Sequence, residues 1–122
     1  MENIYQEGTG KLPEITFDYS KGLIEIKGRS IPEDSDSLYR PLINWLSEYV
    51  LNPQKKTIVN INLEYFNSSS AKYLTRLLNK LTYLDANYEL ETNWFYVDDE
   101  ALEEGEDFAD ILDLKMNFYS VT

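Results

Sequence analysis

The 122-residue chain contains no cysteine and no histidine. Without cysteine there is no disulfide framework, thiolate nucleophile or Cys-ligated zinc site. Without histidine the commonest general base and the commonest transition-metal ligand are gone. Catalysis would have to rest on carboxylates, lysine, tyrosine or serine. Basic residues are scarce too: 11 Lys and Arg against 22 Asp and Glu give a net charge of −11. Such a chain repels nucleic acid phosphates and anionic lipid, so a protein partner is the better expectation. No apolar run approaches the roughly 20 residues that a membrane span needs. The N-terminus, "MENIYQEGTGKLPE", lacks a basic-then-apolar signal pattern. These absences predict a cytoplasmic protein with neither a nucleic acid nor a membrane partner.

What is present suits one globular domain over residues 1–122. The chain is 43% hydrophobic and 14% aromatic, enough for a single core without staples. Residues 1–12 are expected to form a loosely held arm. "EITFDY" and "LIEIKG" alternate around an "SKG" turn and predict a β-hairpin, with Ile15, Phe17, Tyr19, Ile24 and Ile26 facing inward. "LYRPLINWLSEYVL" has helical spacing, and Pro41 places the start of its regular part nearby. "TIVNINLEYF" predicts a third strand, with Val59, Ile61, Leu63 and Tyr65 on one face. "SSSAKYLTRLLNKLTYL" predicts a second helix, and "NYELETNWFYV" and "KMNFYSV" two more strands. Between these last two, "DDEALEEGEDFADIL" predicts a short helix broken at Gly105. The order implies an α/β fold: a mixed sheet of about five strands, helices mainly on one face and much of the other toward water.

Asn67, Ser68, Ser69 and Ser70 stand where the third strand hands over to the second helix. Any of them can cap the free N–H groups of that helix, and capping alone accounts for the cluster. The same helix start also accommodates an anion. A phosphoryl group on one serine would add about two negative charges there without melting the fold. Lys72, Arg76 and Lys80 recur at a spacing of four beyond the serines. They form either a solvated helix face or a recognition ridge for an acidic groove in a partner.

Asp98 to Asp113 holds nine acidic residues and no basic one. Its spacing does not fit a calcium-binding EF-hand loop, and no metal or cofactor is expected. A small carboxylate-based hydrolase is one alternative function and a constitutive interaction scaffold another.

Three stretches, "GRSIPEDSDSLYRPLINWL", "LEYFNSSSAKYL" and "NWFYVDDEALEEGEDFADI", together resemble the SiaC family of bacterial regulatory phosphoproteins. The likeness runs from about Pro13 to the end of the chain. The wider shape is similar to the STAS domains of anti-sigma-factor antagonists. The resemblance implies a STAS-like partner-switching module, not an enzyme. It implies modification by an anti-sigma-like Ser/Thr kinase and reversal by a PP2C-type phosphatase. It further implies that the unphosphorylated form binds and activates a diguanylate cyclase or similar effector, linking the switch to cyclic di-GMP and biofilm formation. Carried over by position, the phosphoacceptor falls on Ser68, where family members often have threonine; Ser69 and Ser70 stay as alternatives. Asn67, Ser69, Ser70, Lys72, Arg76 and Lys80 are then the expected partner-binding residues.

Overall fold

The computed structural model describes residues 1–121. Six strands form one sheet in sequence order: β1 (Ile4–Gln6), β2 (Glu14–Asp18), β3 (Leu23–Ser30), β4 (Lys56–Phe66), β5 (Glu89–Tyr96) and β6 (Asn117–Ser120). The β1/β2 and β2/β3 pairs are antiparallel; β3 to β6 run parallel. Helices α1 (Ser35–Tyr49), α2 (Ser68–Leu81) and α3 (Asp99–Leu112) make the three crossovers between the parallel strands. A mixed sheet with this connectivity is what the alternating strands and intervening helical spacings predict.

The core follows the period of two in the strands. Ile15, Phe17, Ile24, Ile26, Val59, Ile61 and Trp94 are buried on one face, beneath Leu42, Leu46, Leu74, Leu78 and Phe108 of the helices. The opposite face is polar. Asn60 donates to Glu25, Asn93 donates to Asn60 and Glu91, and Asn117 donates to Asn93, at 2.9–3.1 Å. This chain of amides and carboxylates crosses four strands. It lets a parallel sheet leave one face uncovered.

Four sequence expectations are corrected. The sheet has six strands because residues 1–12 are not a loose arm: β1 pairs with β2, and Trp45 Nε1 donates to the Glu2 carbonyl at 2.7 Å. A strand of three residues is too short to express an alternation. The first helix begins at Ser35, not near Pro41, because Asp34 caps it by accepting from Ser37 N–H; Pro41 lies within the helix. Helix α3 runs unbroken through Gly105, which lets the helix approach Trp94 closely. Finally, Tyr65 points out, at 52% exposure. The register slips between Gly28 and Arg29, pairing Gly28 with Leu63 but Arg29 with Tyr65. The extra residue is a bulge at Glu64, and it reverses the facing of the residues after it. Tyr65 thereby lies under Arg29, and Phe66 turns inward against Trp94 and Phe108.

Candidate functional site

The bulge delivers the chain to the start of α2. Asn67 keeps an extended backbone, and its side-chain oxygen accepts from Ser70 N–H at 2.9 Å. Its carbonyl accepts from Ala71 N–H. One residue therefore caps the helix and leaves the three serines for other uses.

Their environments differ sharply. Ser70 is fully buried, at 0% exposure. Its Oγ meets Ser30 Oγ at 2.9 Å and donates to the Ser30 carbonyl at 3.0 Å, and Ser30 Oγ meets the Tyr39 hydroxyl at 2.6 Å. This network ties the end of β3 to α1 and α2. Burial pushes the Tyr39 hydroxyl pKa above the ordinary tyrosine value. Ser70 thus has a structural role, and its hydroxyl is not presented to a partner or an enzyme. Ser69 is exposed as a residue, but its Oγ is held by Ser35 Oγ at 2.5 Å and donates to Asn67 Oδ1 at 3.2 Å. Ser68 is exposed, and among the described residues its hydroxyl has no hydrogen-bond partner.

Beyond the serines, Lys72 and Arg76 are exposed and Lys80 half-buried. None of the three is in an ion pair among the described residues. The Arg76 guanidinium lies 5.0 Å over the Tyr73 ring, and the Lys80 ammonium 5.4 Å over that of Tyr83. Aromatic faces hold both cations without neutralising them. Helix α2 contains no acidic residue, so this ridge is a basic island on a chain of net charge −11.

The structure adds partners from α1. Arg40 makes a forked contact with Asp36, at 2.9 and 2.7 Å, and the Tyr73 hydroxyl donates to the same carboxylate at 2.8 Å. The Arg40 bonds, then that of Tyr73, hold the Asp36 carboxyl below the usual carboxylate range. Tyr39 stacks on Tyr73, with centroids 5.9 Å apart and planes at 12°. Arg40, Ile43, Asn44, Tyr73 and Arg76 line a shallow groove between the two helices. The geometry therefore presents a free hydroxyl at the head of a cationic ridge with an aromatic flank.

The acidic segment forms α3. Asp98 caps it by accepting from Ala101 N–H. Burial, then Glu100, Asp98 and Asp107, raises the Glu104 carboxyl above its ordinary value. Among the described residues, no group of three or more Asp and Glu is placed to hold a metal ion. Nor is any helix there long and apolar enough to cross a membrane.

The model of the SiaC family of regulatory phosphoproteins matches residues 6–121. The chain belongs to this family. An uncharacterized protein of Pseudomonas aeruginosa (strain UCBPP-PA14) is 30% identical over 81 residues, which cover 66% of this chain and 64% of that relative. The crystal structure of apo-SiaC from Pseudomonas aeruginosa superposes with a TM-score of 0.85 at 25% identity, covering both chains in full. A second likeness, of fold alone, is to the crystal structure of the diguanylate cyclase SiaD in complex with its activator SiaC from the same organism. There the TM-score is 0.87 at 23% identity, over 96% of this chain and 98% of the other.

The geometry separates the members of the serine cluster. The structure brings Ser68, Ser69, Lys72 and Arg76 to one exposed corner beside the half-buried Asn67, with Lys80 one turn beyond Arg76, and withdraws Ser70 into the core. Sequence reasoning missed Ser35, Asp36, Arg40 and Tyr73. Ser35 and Ser69 are 34 residues apart, and Asp36 and Tyr73 are 37 apart. Only the spacing of Asp36 and Arg40, an i,i+4 acid–base pair, was a usable local signal.

Proposed function

We propose that this chain is a non-enzymatic partner-switching module of the cytoplasm. In this reading the unphosphorylated form binds and activates a diguanylate cyclase or similar signalling effector, as the activator SiaC is paired with SiaD in the complex of like fold. An anti-sigma-like Ser/Thr kinase places a phosphoryl group on Ser68, and a PP2C-type phosphatase removes it. One observation carries the assignment: Ser68 is the member of the cluster that is exposed and whose hydroxyl has no hydrogen-bond partner among the described residues.

Electrostatics supplies the switch. The unmodified corner presents Lys72, Arg76 and Lys80 to the acidic surface of an effector. A phosphate on Ser68 adds about two negative charges at the head of the ridge. The unpaired N–H groups at the start of α2 accommodate it, and Lys72, four residues on, reaches it from the same helix face. The helix stays folded while the docking face loses most of its positive charge and gains bulk.

The test uses Ser68→Ala and Ser68→Asp. Ser68→Ala should take up no phosphate from the kinase yet bind the cyclase as the native chain does. Ser68→Asp should bind at least several-fold more weakly. Phosphate mapped elsewhere on the native chain, or equal cyclase affinity for the two variants, contradicts the proposal. Arg76→Glu should weaken binding at low salt more than at high salt; affinity indifferent to both would remove the ridge from the interface.

A further inference from the structure

We infer that Ser35 selects which serine of the cluster is phosphorylated, an inference resting on the phosphorylation reading above. Exposure alone rules out Ser70 and leaves Ser68 and Ser69 equivalent, since both are exposed. Hydrogen bonding separates them. The Asn67 carboxamide oxygen can only accept, so the Ser69 hydroxyl gives its proton there at 3.2 Å. In the 2.5 Å contact between Ser35 and Ser69, Ser35 is then the donor. Ser69 Oγ therefore has its proton engaged and a lone pair occupied at once. Ser35 is itself held in place: it is the first residue of α1 and only 8% exposed. Its hydroxyl draws the Ser69 side chain toward the seam between α1 and α2.

Phosphoryl transfer makes opposite demands. The serine Oγ must attack the γ-phosphorus of a nucleoside triphosphate with a free lone pair. The bond from that phosphorus to the β–γ bridging oxygen breaks, the nucleoside diphosphate leaves, and the hydroxyl proton passes to a base on the kinase. Ser68 Oγ meets these demands as it stands. Ser69 meets them only after breaking two hydrogen bonds, which favours Ser68 by roughly ten- to a hundredfold.

The test compares native protein, Ser68→Ala and the pair Ser35→Ala/Ser68→Ala. Each is incubated with the cognate serine kinase and ATP, and sites are mapped by tandem mass spectrometry. The native chain should carry phosphate on Ser68, and Ser68→Ala should carry almost none. The double variant should regain phosphate on Ser69, roughly three- to tenfold above the single variant, since one of the two bonds is gone and the bond to Asn67 remains. Ser35→Thr/Ser68→Ala keeps a hydroxyl at position 35 and should stay unlabelled. If the double variant has a native circular dichroism spectrum but takes no more phosphate than Ser68→Ala, Ser35 has no selecting role. Full labelling of Ser69 in Ser68→Ala would equally exclude that role, as would equal labelling of the threonine and alanine pairs. A native chain that accepts no phosphate on any serine defeats the phosphorylation reading, and this inference with it.

Discussion

Replacing Gly105 with alanine sets helix propensity against packing. In an exposed helix the change would stabilise by about 1 kcal/mol. Here an ideal Cβ would stand 2.6 Å from Trp94 Cδ1 and Nε1, and 2.7 Å from Cγ. The indole has little room to yield. It is 2% exposed, its Nε1 donates to the Ala101 carbonyl at 2.9 Å, and Phe66 and Phe108 pack against it at 6.0 and 5.4 Å. Overpacking a core of this kind costs about 1–3 kcal/mol. Displacing the ring also strains or breaks a buried N–H bond, worth about 1–3 kcal/mol more. Less the propensity gain, the net loss is about 1–5 kcal/mol, centred near 3. With a urea m-value of about 2 kcal/mol/M, the unfolding midpoint should fall by roughly 1.5 M. A double-mutant cycle with Trp94→Phe, which lacks the Nε1 atom, should show alanine to be cheaper beside the smaller ring. An unchanged or raised midpoint for Gly105→Ala would refute the reasoning. Gly105 and Phe108, one turn apart on α3, both lie against Trp94.

The remaining predictions concern the polar ties behind the site. Tyr39→Phe removes the 2.6 Å bond to Ser30 and should cost about 1–2 kcal/mol, lowering Tm by several degrees in a thermal melt; an unchanged Tm would mean that the network adds nothing. The Asp36 carboxyl is held below its reference value of 3.8 by Arg40, then by Tyr73. A group depressed on folding contributes stability above its unfolded pKa and loses it as pH falls through the folded one. The stability difference between the native chain and Asp36→Asn should therefore be present above the ordinary carboxylate range and fade as pH falls below it. Urea titrations across that range check it, and a difference undiminished in acid would contradict the assignment.

Much of this fold is legible because one face of the sheet is buried. Ile24/Ile26 and Val59/Ile61 must then alternate with Glu25 and Asn60, and the period of two survives in the sequence. Tyr65 obeys that period in the sequence and breaks it in the structure, because a bulge needs no particular residue type on β4 and leaves no compositional mark. The N-terminal strand escapes notice for another reason: its three residues gain order from β2 and from the Trp45 bond to Glu2, not from their own pattern. At the site, the serine cluster and the lysine–arginine spacing are local and visible. The distinction among the three serines is not, because it is made by Ser30, Ser35 and Tyr39, which reach the cluster only when the chain folds.

The most direct measurement is the affinity of a diguanylate cyclase partner for the native chain, compared with chain stoichiometrically phosphorylated on Ser68, at matched ionic strength. Tight binding of the unmodified protein and at least tenfold weaker binding of the phosphoprotein, its circular dichroism unchanged, is the expected result. Equal or tighter binding after modification would contradict it.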